Sequence, residues 1–339
     1  DGAIDASIDD SGTFTLEVRD PLPLSAQATG RFVDGEIELT AGGLRTDLKA
    51  LTSSLPAEVL TVRSGVAEGS IRIIGPIADP LLYGTVRIRD LVATTSFSPD
   101  QIGPVNTAVI LEEKSIRIPE FETLVGNATV TVEARTVLNR LSLSDYQLDL
   151  TIDGQSGVHI VDSFGPVNVD GYGRGSLSIG GRRNSIDVSG DLVVYGTELG
   201  VTNTFEEPEE PSDTNVELDL TLRTGRGVRF VWPAADFPVI RSNFAVDQSV
   251  SIQLNSLEDR FALTGAVEIQ SGDVFYFDRN FLIREGQIVF QEDEAGFDPR
   301  ISARAELREV TPDGPVRIYL VADGQRLSEF SPRFESNPP

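Results

Sequence analysis

The chain has 339 residues, with no cysteine, a single histidine and a formal net charge of −25. Without cysteine it can form no disulfide, no thiolate metal site and no cysteine nucleophile, and one histidine cannot make the usual histidine-rich zinc site. The acidic balance argues against nucleic acid, and against an anionic bilayer docking on the outer face, because both attract lysine and arginine; it favours a solvated β protein that repels its own copies.

The two ends of the sequence suggest a piece of a longer polypeptide. There is no methionine, not even at the first position, and the last residues are ESNPP. No stretch approaches the roughly 18 apolar residues of a membrane-spanning helix, and no signal peptide is visible. We therefore expect contact with membranes through missing flanking segments.

In chain order, the first segments alternate apolar and polar residues. Residues 14–20 (FTLEVRD) and 35–40 (GEIELT) show a period of two, which is typical of strands buried on one face.

One short amphipathic helix is predicted after them. Leu44, Leu48, Leu51 and Leu55 recur at i, i+4, i+7 and i+11, and the pattern ends at Pro56. We expect this helix to lay its leucine stripe on an apolar sheet face.

A repeat of strand, turn, strand and glycine occurs three times. Its copies span residues 69–84, 175–190 and 251–265, with matched spacing between the serine or glycine that opens each copy and the glycine that closes it. Repeats of one supersecondary unit predict an elongated stack whose units bury their apolar face jointly.

The strand pattern continues to the C-terminus on both sides of one acidic, proline-rich stretch. We interpret that stretch, TFEEPEEPSDT at 204–214, as a solvated loop. The strands around it are apolar on one side, and that side must be covered. The alternating segments are residues 115–119, 128–135, 146–153, 216–223 and 316–321.

The number of strands constrains the shape of the sheet. A strand about every 14 residues gives roughly two dozen strands, which at ~4.8 Å each would extend ~110 Å. A twisted sheet seldom exceeds about ten strands without curling or splitting, and folding it along its length resolves the problem. The alternatives are a pair of β-sandwiches or a parallel β-helix, and the second is disfavoured because turns join neighbouring strands directly.

Catalytic, metal and cofactor sites are not predicted, and we do not expect an enzyme. His159 lies among strand residues with Asp153 and Asp162 close in sequence, but no GxSxG nucleophile motif accompanies it. The acidic clusters lack the spacing of a calcium loop. The glycine-rich stretch 171–175 is not followed by a helix that could bind phosphate.

The C-terminal part carries the most specific pattern. Residues 271–291 (SGDVFYFDRNFLIREGQIVFQ) predict a strand over 274–277, a turn, a strand over 281–284, a turn at Glu285-Gly286 and a further strand. With DPRISARAEL at 298–307, this order of elements resembles the C-terminal domain of the TamB family, relatives of the AsmA-like and bridge-type lipid-transfer proteins. The stretch GPIADPLLYGTV and the leucine helix resemble the same family, so the resemblance covers most of 35–339 and is most specific within 271–339.

The resemblance implies an all-β fold: an elongated, repetitive, curled antiparallel-type sheet, or "β-taco", formed as a single segment over 1–339 with a continuous apolar groove. Phospholipid or another acyl-chain lipid would be its cargo. The inward parity of the strands assigns to the groove lining Ile71, Ile73, Val86, Ile88, Ile116, Ile118, Val130, Val132, Leu148, Leu150, Ile152, Leu177, Ile179, Leu218, Leu220, Leu222, Ile252, Leu254, Val267, Ile269, Phe275, Phe277, Ile288, Phe290, Val316, Ile318 and Leu320.

Two functions follow from the resemblance as expectations. One is a periplasmic bridge that carries phospholipid acyl chains between the inner and outer membranes, anchored to the inner membrane by a missing N-terminal segment. The other is a scaffold that helps assemble outer-membrane β-barrels or autotransporters with an Omp85-family partner, using exposed strand edges. Aromatic residues gather in the C-terminal third, where they would either close the end of the sheet or widen into a mouth.

Overall fold

The computed structural model describes residues 4–10, 12–18, 24–52, 60–140, 142–164, 167–182, 184–201, 215–233, 239–258, 260–292, 298–312 and 314–337. These residues form 22 strands of one large, mostly antiparallel sheet, with one short α-helix and one turn of 3₁₀ helix. The all-β prediction is confirmed, while the acidic loop predicted at 204–214 lies outside the described residues. The chain divides into two compact units, Asp1–Val158 with Ser178–Ser185 and His159–Leu177 with Ile186–Pro339. The single segment expected over 1–339 stays a prediction.

The first unit is an up-and-down meander in which each strand pairs antiparallel with the next. Short connections join most neighbouring strands, which explains why a simple alternation of apolar and polar residues predicts the meander well. Its strands are β1 Ile4–Ile8, β2 Thr13–Val18, β3 Leu24–Val33, β4 Glu36–Asp47, β5 Leu60–Pro76, β6 Leu81–Thr95, β7 Gln101–Glu113, β8 Ser115–Val125, β9 Ala128–Asn139 and β10 Ser142–Asp153.

Strand register in this unit separates an apolar inner face from a charged outer face. Ile71 pairs with Gly84, and Gly84 pairs on its other side with Leu111, so the apolar positions of three strands share one side of the sheet. On the other side, the Glu38 carboxylate accepts a hydrogen bond from Arg72 at 2.8 Å and forms an ion pair with Arg31 at 3.2 Å. The Arg72 hydrogen bond, aided by the charge of Arg31, holds the pKa of Glu38 below its usual value.

The glycines of the sequence repeat mark close approaches between strand backbones. A Cβ added at Gly84 would collide with the Ser70 carbonyl oxygen, and one added at Gly69 would collide with that of Thr85. Gly84 also has a φ of +146°, which L side chains rarely adopt. The glycine period in the sequence therefore records where adjacent backbones leave no room for a side chain.

A substitution at Gly84 tests this explanation. Gly84→Ala is expected to lower the free energy of unfolding by about 2–4 kcal/mol, because it combines a backbone collision with a strained φ. Gly42→Ala in β4 is the matched control, since a Cβ there meets nothing within 4 Å. The measurement is urea unfolding of both variants, and equal effects at the two glycines would contradict the close-approach explanation.

The predicted helix is shorter than its leucine pattern. It spans Leu48–Thr52 (α1), and Leu44 lies on β4 instead, so the prediction that the helix includes Leu44 is wrong. Asp47 explains the late start, because its Oδ1 accepts hydrogen bonds from the backbone N–H groups of Lys49 at 2.9 Å and Ala50 at 3.3 Å and so caps the helix. Leu48 packs toward β5 at Gly65. Leu55 and Pro56 lie outside the described residues.

The remaining strands depart from a simple meander. β15 pairs in parallel with β13 over three residues, and β14 pairs with β17 across an intervening hairpin, whereas β17 through β22 are antiparallel neighbours in chain order. The strands are β11 Val158–Phe164, β12 Val167–Arg182, β13 Ser185–Val201, β14 Asn215–Thr224, β15 Arg229–Trp232, β16 Ile240–Phe244, β17 Ser249–Asn255, β18 Arg260–Tyr276, β19 Arg279–Glu292, β20 Arg300–Thr311, β21 Gly314–Arg326 and β22 Arg333–Asn337.

The C-terminal hairpin is simpler than its sequence predicts. β18 turns into β19 through Phe277 and Asp278, both with positive φ. The second predicted turn, at Glu285-Gly286, is wrong, because β19 continues through it with a register shift between Ile283 and Glu285. A glycine beside one extra residue forms a β-bulge here, which bends a strand without ending it.

Candidate functional site

An apolar cavity of about 120 Å³ lies inside the second unit. Nine strands, β11 to β19, contribute to its wall, so it is a property of the curled sheet rather than of one motif. Its lining residues are Ile160, Val167, Val169, Leu192, Val194, Thr197, Leu199, Leu220, Leu222, Thr224, Val228, Phe230, Phe244, Val250, Ile252, Phe261, Leu263, Val267 and Phe290.

The two polar side chains in this lining are already hydrogen-bonded. The Thr197 hydroxyl donates to the carbonyl oxygen of Tyr195 at 3.0 Å, and the Thr224 hydroxyl donates to that of Ala245 at 2.7 Å. A hydroxyl that already donates to a backbone carbonyl offers little to a polar ligand. The described part of the cavity wall therefore suits hydrocarbon, and none of its side chains is an acid or a base.

The structure places the predicted lining residues in three environments. Leu220, Leu222, Ile252, Val267 and Phe290 meet at the cavity. Five others are buried elsewhere: Val130, Ile152, Ile269, Ile288 and Leu320. Most of the rest are half-buried on their strands: Ile71, Ile73, Val86, Ile88, Ile116, Ile118, Val132, Leu148, Leu150, Leu177, Ile179, Leu218, Leu254, Val316 and Ile318.

Phe275 and Phe277 do not share the inner face of the other predicted residues. Their side chains are 51% and 77% exposed, whereas Val274, which directly precedes Phe275 on β18, is buried. An irregularity in β18 explains the change: Phe244 pairs with Ile269 but Asn243 pairs with Ser271, so one extra residue reverses the parity beyond it. Placing Phe275 on the same face as Val267 and Ile269 is wrong for this reason.

Parity reasoning also missed residues that the cavity contains. Val167, Val169, Leu192 and Val194 alternate in sequence and could have been found by the same rule. Phe230 and Phe244, whose ring centroids lie 6.3 Å apart, sit on short strands with non-local partners and give no such signal.

Polar side chains of the second unit form pairs on its outer face. His159 Nε2 lies 2.8 Å from Asp170 Oδ1, and its ring stacks on Tyr172 at 4.8 Å, so the imidazole is held in a cross-strand pair. Glu306 is covered by arginines: Arg308 Nε lies 2.7 Å and Arg284 Nε 2.8 Å from its carboxylate. The Arg308 hydrogen bond, then that of Arg284, holds the pKa of Glu306 below its usual value.

The described residues offer neither a metal site nor a membrane-spanning helix. They contain no group of three or more histidine, cysteine, aspartate or glutamate side chains arranged to bind a metal ion. In the same part of the chain, no helix has the length and hydropathy needed to cross a bilayer.

Comparison with known proteins gives one family match. Residues 196–339, which include most of the cavity wall, match the model of the TamB C-terminal domain. No curated protein and no solved structure gives a significant match. The TamB family is envelope-associated and non-enzymatic, and such a domain is consistent with a role in outer-membrane assembly or lipid transport. The part of the chain from residue 196 to residue 339 is thus a TamB-family domain.

Proposed function

We propose that the chain conducts phospholipid acyl chains along its apolar inner face, within the periplasm, between the inner and outer membranes. The observation that supports this proposal most directly is the apolar cavity, whose wall carries no charged side chain among the described residues. The family match is compatible with lipid transport and does not by itself choose it.

The apolar wall is important because moving lipid acyl chains from a bilayer into water costs free energy. Each buried methylene contributes ~0.8 kcal/mol, so drawing a two-chain lipid wholly into water costs ~25 kcal/mol. An apolar wall offsets most of that cost while acyl chains are in contact with it. The head group would remain in water beside the outer edge of the wall, because burying its charges is costly.

A pair of neighbouring positions on β14 tests the proposal. Leu220 is 7% exposed and lines the cavity, whereas Thr221 points to the opposite face of the same strand. A photo-crosslinking residue at Leu220 is expected to capture phospholipid in the cell envelope, and one at Thr221 is not. Mass spectrometry of the crosslinked chain measures the difference.

A scaffold for outer-membrane β-barrels remains the second candidate, because a strand edge is available for pairing. β22 is hydrogen-bonded to β21 along one edge, and no strand among the described residues covers its other edge. Extended peptides add to sheets at such edges. Equal lipid capture at Leu220 and Thr221, or none at either, would favour this candidate over the conduit.

A further inference from the structure

The two most exposed large apolar side chains among the described residues lie at one end of the second unit. Val310 is 86% exposed and Phe277 is 77% exposed. Phe277 forms the turn between β18 and β19, and Val310 immediately precedes the turn between β20 and β21. Leu282 on β19 pairs with Glu306 on β20, and the two strands are antiparallel. Counting four residues back from Leu282 and four forward from Glu306 places Asp278 opposite Val310. Both hairpin ends therefore lie at the same edge of the sheet.

Aromatic rings pack against Phe277 at this end of the second unit. The Phe277 ring centroid lies 4.6 Å from that of Tyr276 and 6.4 Å from that of Phe334 on β22, which is itself half exposed. An open cleft of about 570 Å³ separates the two turns and is lined by residues of both hairpins and of β22. The Phe277 tip is therefore held by ring packing, and both Phe277 and Val310 are left exposed to solvent.

Two arginines lie on β20 and β21 just inside the hairpin end that carries Val310. Arg308 and Arg317 are directly paired across β20 and β21, more than half exposed, and both approach Glu306. Arg308 precedes Val310 by two residues, which places its backbone about 7 Å farther from the tip. Like charges directly opposite are unfavourable, and the shared Glu306 carboxylate offsets this repulsion.

We propose that these two hairpin tips insert into the headgroup layer of a zwitterionic phospholipid bilayer. Interfacial segments bury apolar side chains about 5–10 Å into the headgroup and acyl boundary, which matches the depth from tip to arginine. Phe277 and Val310 would then reach the acyl boundary while Arg308 and Arg317 bind phosphate groups.

Charge favours a zwitterionic surface over an anionic one. The tip carries Asp278, and beside it the Arg279 guanidinium donates a hydrogen bond to the Glu309 carboxylate at 2.9 Å. A zwitterionic headgroup offers an ammonium for Asp278, which a headgroup with negative charge alone does not. A chain with a net charge of −25 is repelled by an anionic surface as a whole. A protein partner is the less favoured occupant, because the two most exposed apolar side chains, Phe277 and Val310, project from the ends of hairpins and are flanked by the ion pair between Arg279 and Glu309.

This inference does not depend on lipid conduction, and vesicle flotation tests it with the full chain. Wild-type protein is expected to float with phosphatidylcholine–phosphatidylethanolamine vesicles, and the Phe277→Ser/Val310→Ser variant to bind about ten-fold more weakly. Leu257→Ser is the matched control, because Leu257 is 66% exposed at the opposite end of β18 and its loss should leave flotation unchanged. Leu220→Arg should also float normally, which separates this inference from the conduit.

A second readout uses the lack of cysteine in the chain. An environment-sensitive dye attached after Phe277→Cys should shift to the blue when vesicles are added, and the same dye after Leu257→Cys should not. Circular dichroism and thermal unfolding confirm that each variant is folded. Failure of the wild type to float, or equal flotation of the double variant, would overturn the proposal and point to a protein partner for the tips.

Discussion

Leu220→Arg is expected to slow lipid passage about a hundred-fold while the chain still folds. A charged group placed on an apolar path costs about 2.5–3.5 kcal/mol, and each 1.4 kcal/mol is a factor of ten in rate. Leu220 stands on the cavity wall, where its neighbours across the strand pair are also apolar. The long arginine stem allows its guanidinium to reach water, so the fold is expected to tolerate the change better than it would a buried carboxylate.

The measurement is transfer of a fluorescent phospholipid between vesicles by the purified chain. Thr221→Arg is the matched control, because it places the same charge one residue away on the outer face and should leave transfer unchanged. Leu220→Met keeps the wall apolar and should transfer at nearly the wild-type rate. Slow transfer by all three variants, or fast transfer by Leu220→Arg, would contradict a path along this wall.

Phe230→Ala is expected to lower the free energy of unfolding by about 3–5 kcal/mol, since truncating a buried aromatic ring loses transfer energy and leaves a cavity. Phe230 is 1% exposed, lines the apolar cavity and packs beside Phe244. The existing cavity prevents full collapse of the neighbours around the space that the ring leaves. Urea unfolding measures the change.

Phe275→Ala provides the comparison for that experiment. The same ring is removed from a side chain that is half exposed on the outer face, so the expected loss is below about 1 kcal/mol. A loss at Phe275 as large as that at Phe230 would show that the two faces of β18 and β15 had been assigned wrongly.

Much of this fold is readable from the sequence because its signals are local. Apolar and polar residues alternate regularly along its strands, so the alternation alone predicts that Leu220, Leu222 and Ile252 face the same side. In the structure all three line the cavity. The repeat glycines were found by spacing alone, although their reason, the collision of a Cβ with a neighbouring carbonyl, needs coordinates.

The sequence-based predictions are wrong where one residue changes the alternation of a strand or the start of a helix. The residue types at 270 and 271 do not indicate that β18 contains an extra residue at this point. That extra residue nevertheless moves Phe275 to the other face of the sheet. The leucine period suggested a helix from Leu44, but Asp47 is a strong helix cap and set the start at Leu48. Phe230 was missed because the parallel contact between β13 and β15 has no local signature.

Nearest-neighbour pairing in β1 to β10 has a kinetic consequence. Each strand of this meander pairs with the next strand in the chain, and among the described residues only β4 and β5 are separated by a helix, α1, so loop-closure entropy opposes most steps only weakly. We expect this region to assemble progressively from one end as the polypeptide emerges, each new hairpin covering the edge left by the last. Strand β15 pairs with the adjacent β16, but its parallel pairing with β13 spans a longer stretch of chain, so we expect this part of the cavity wall to form more slowly.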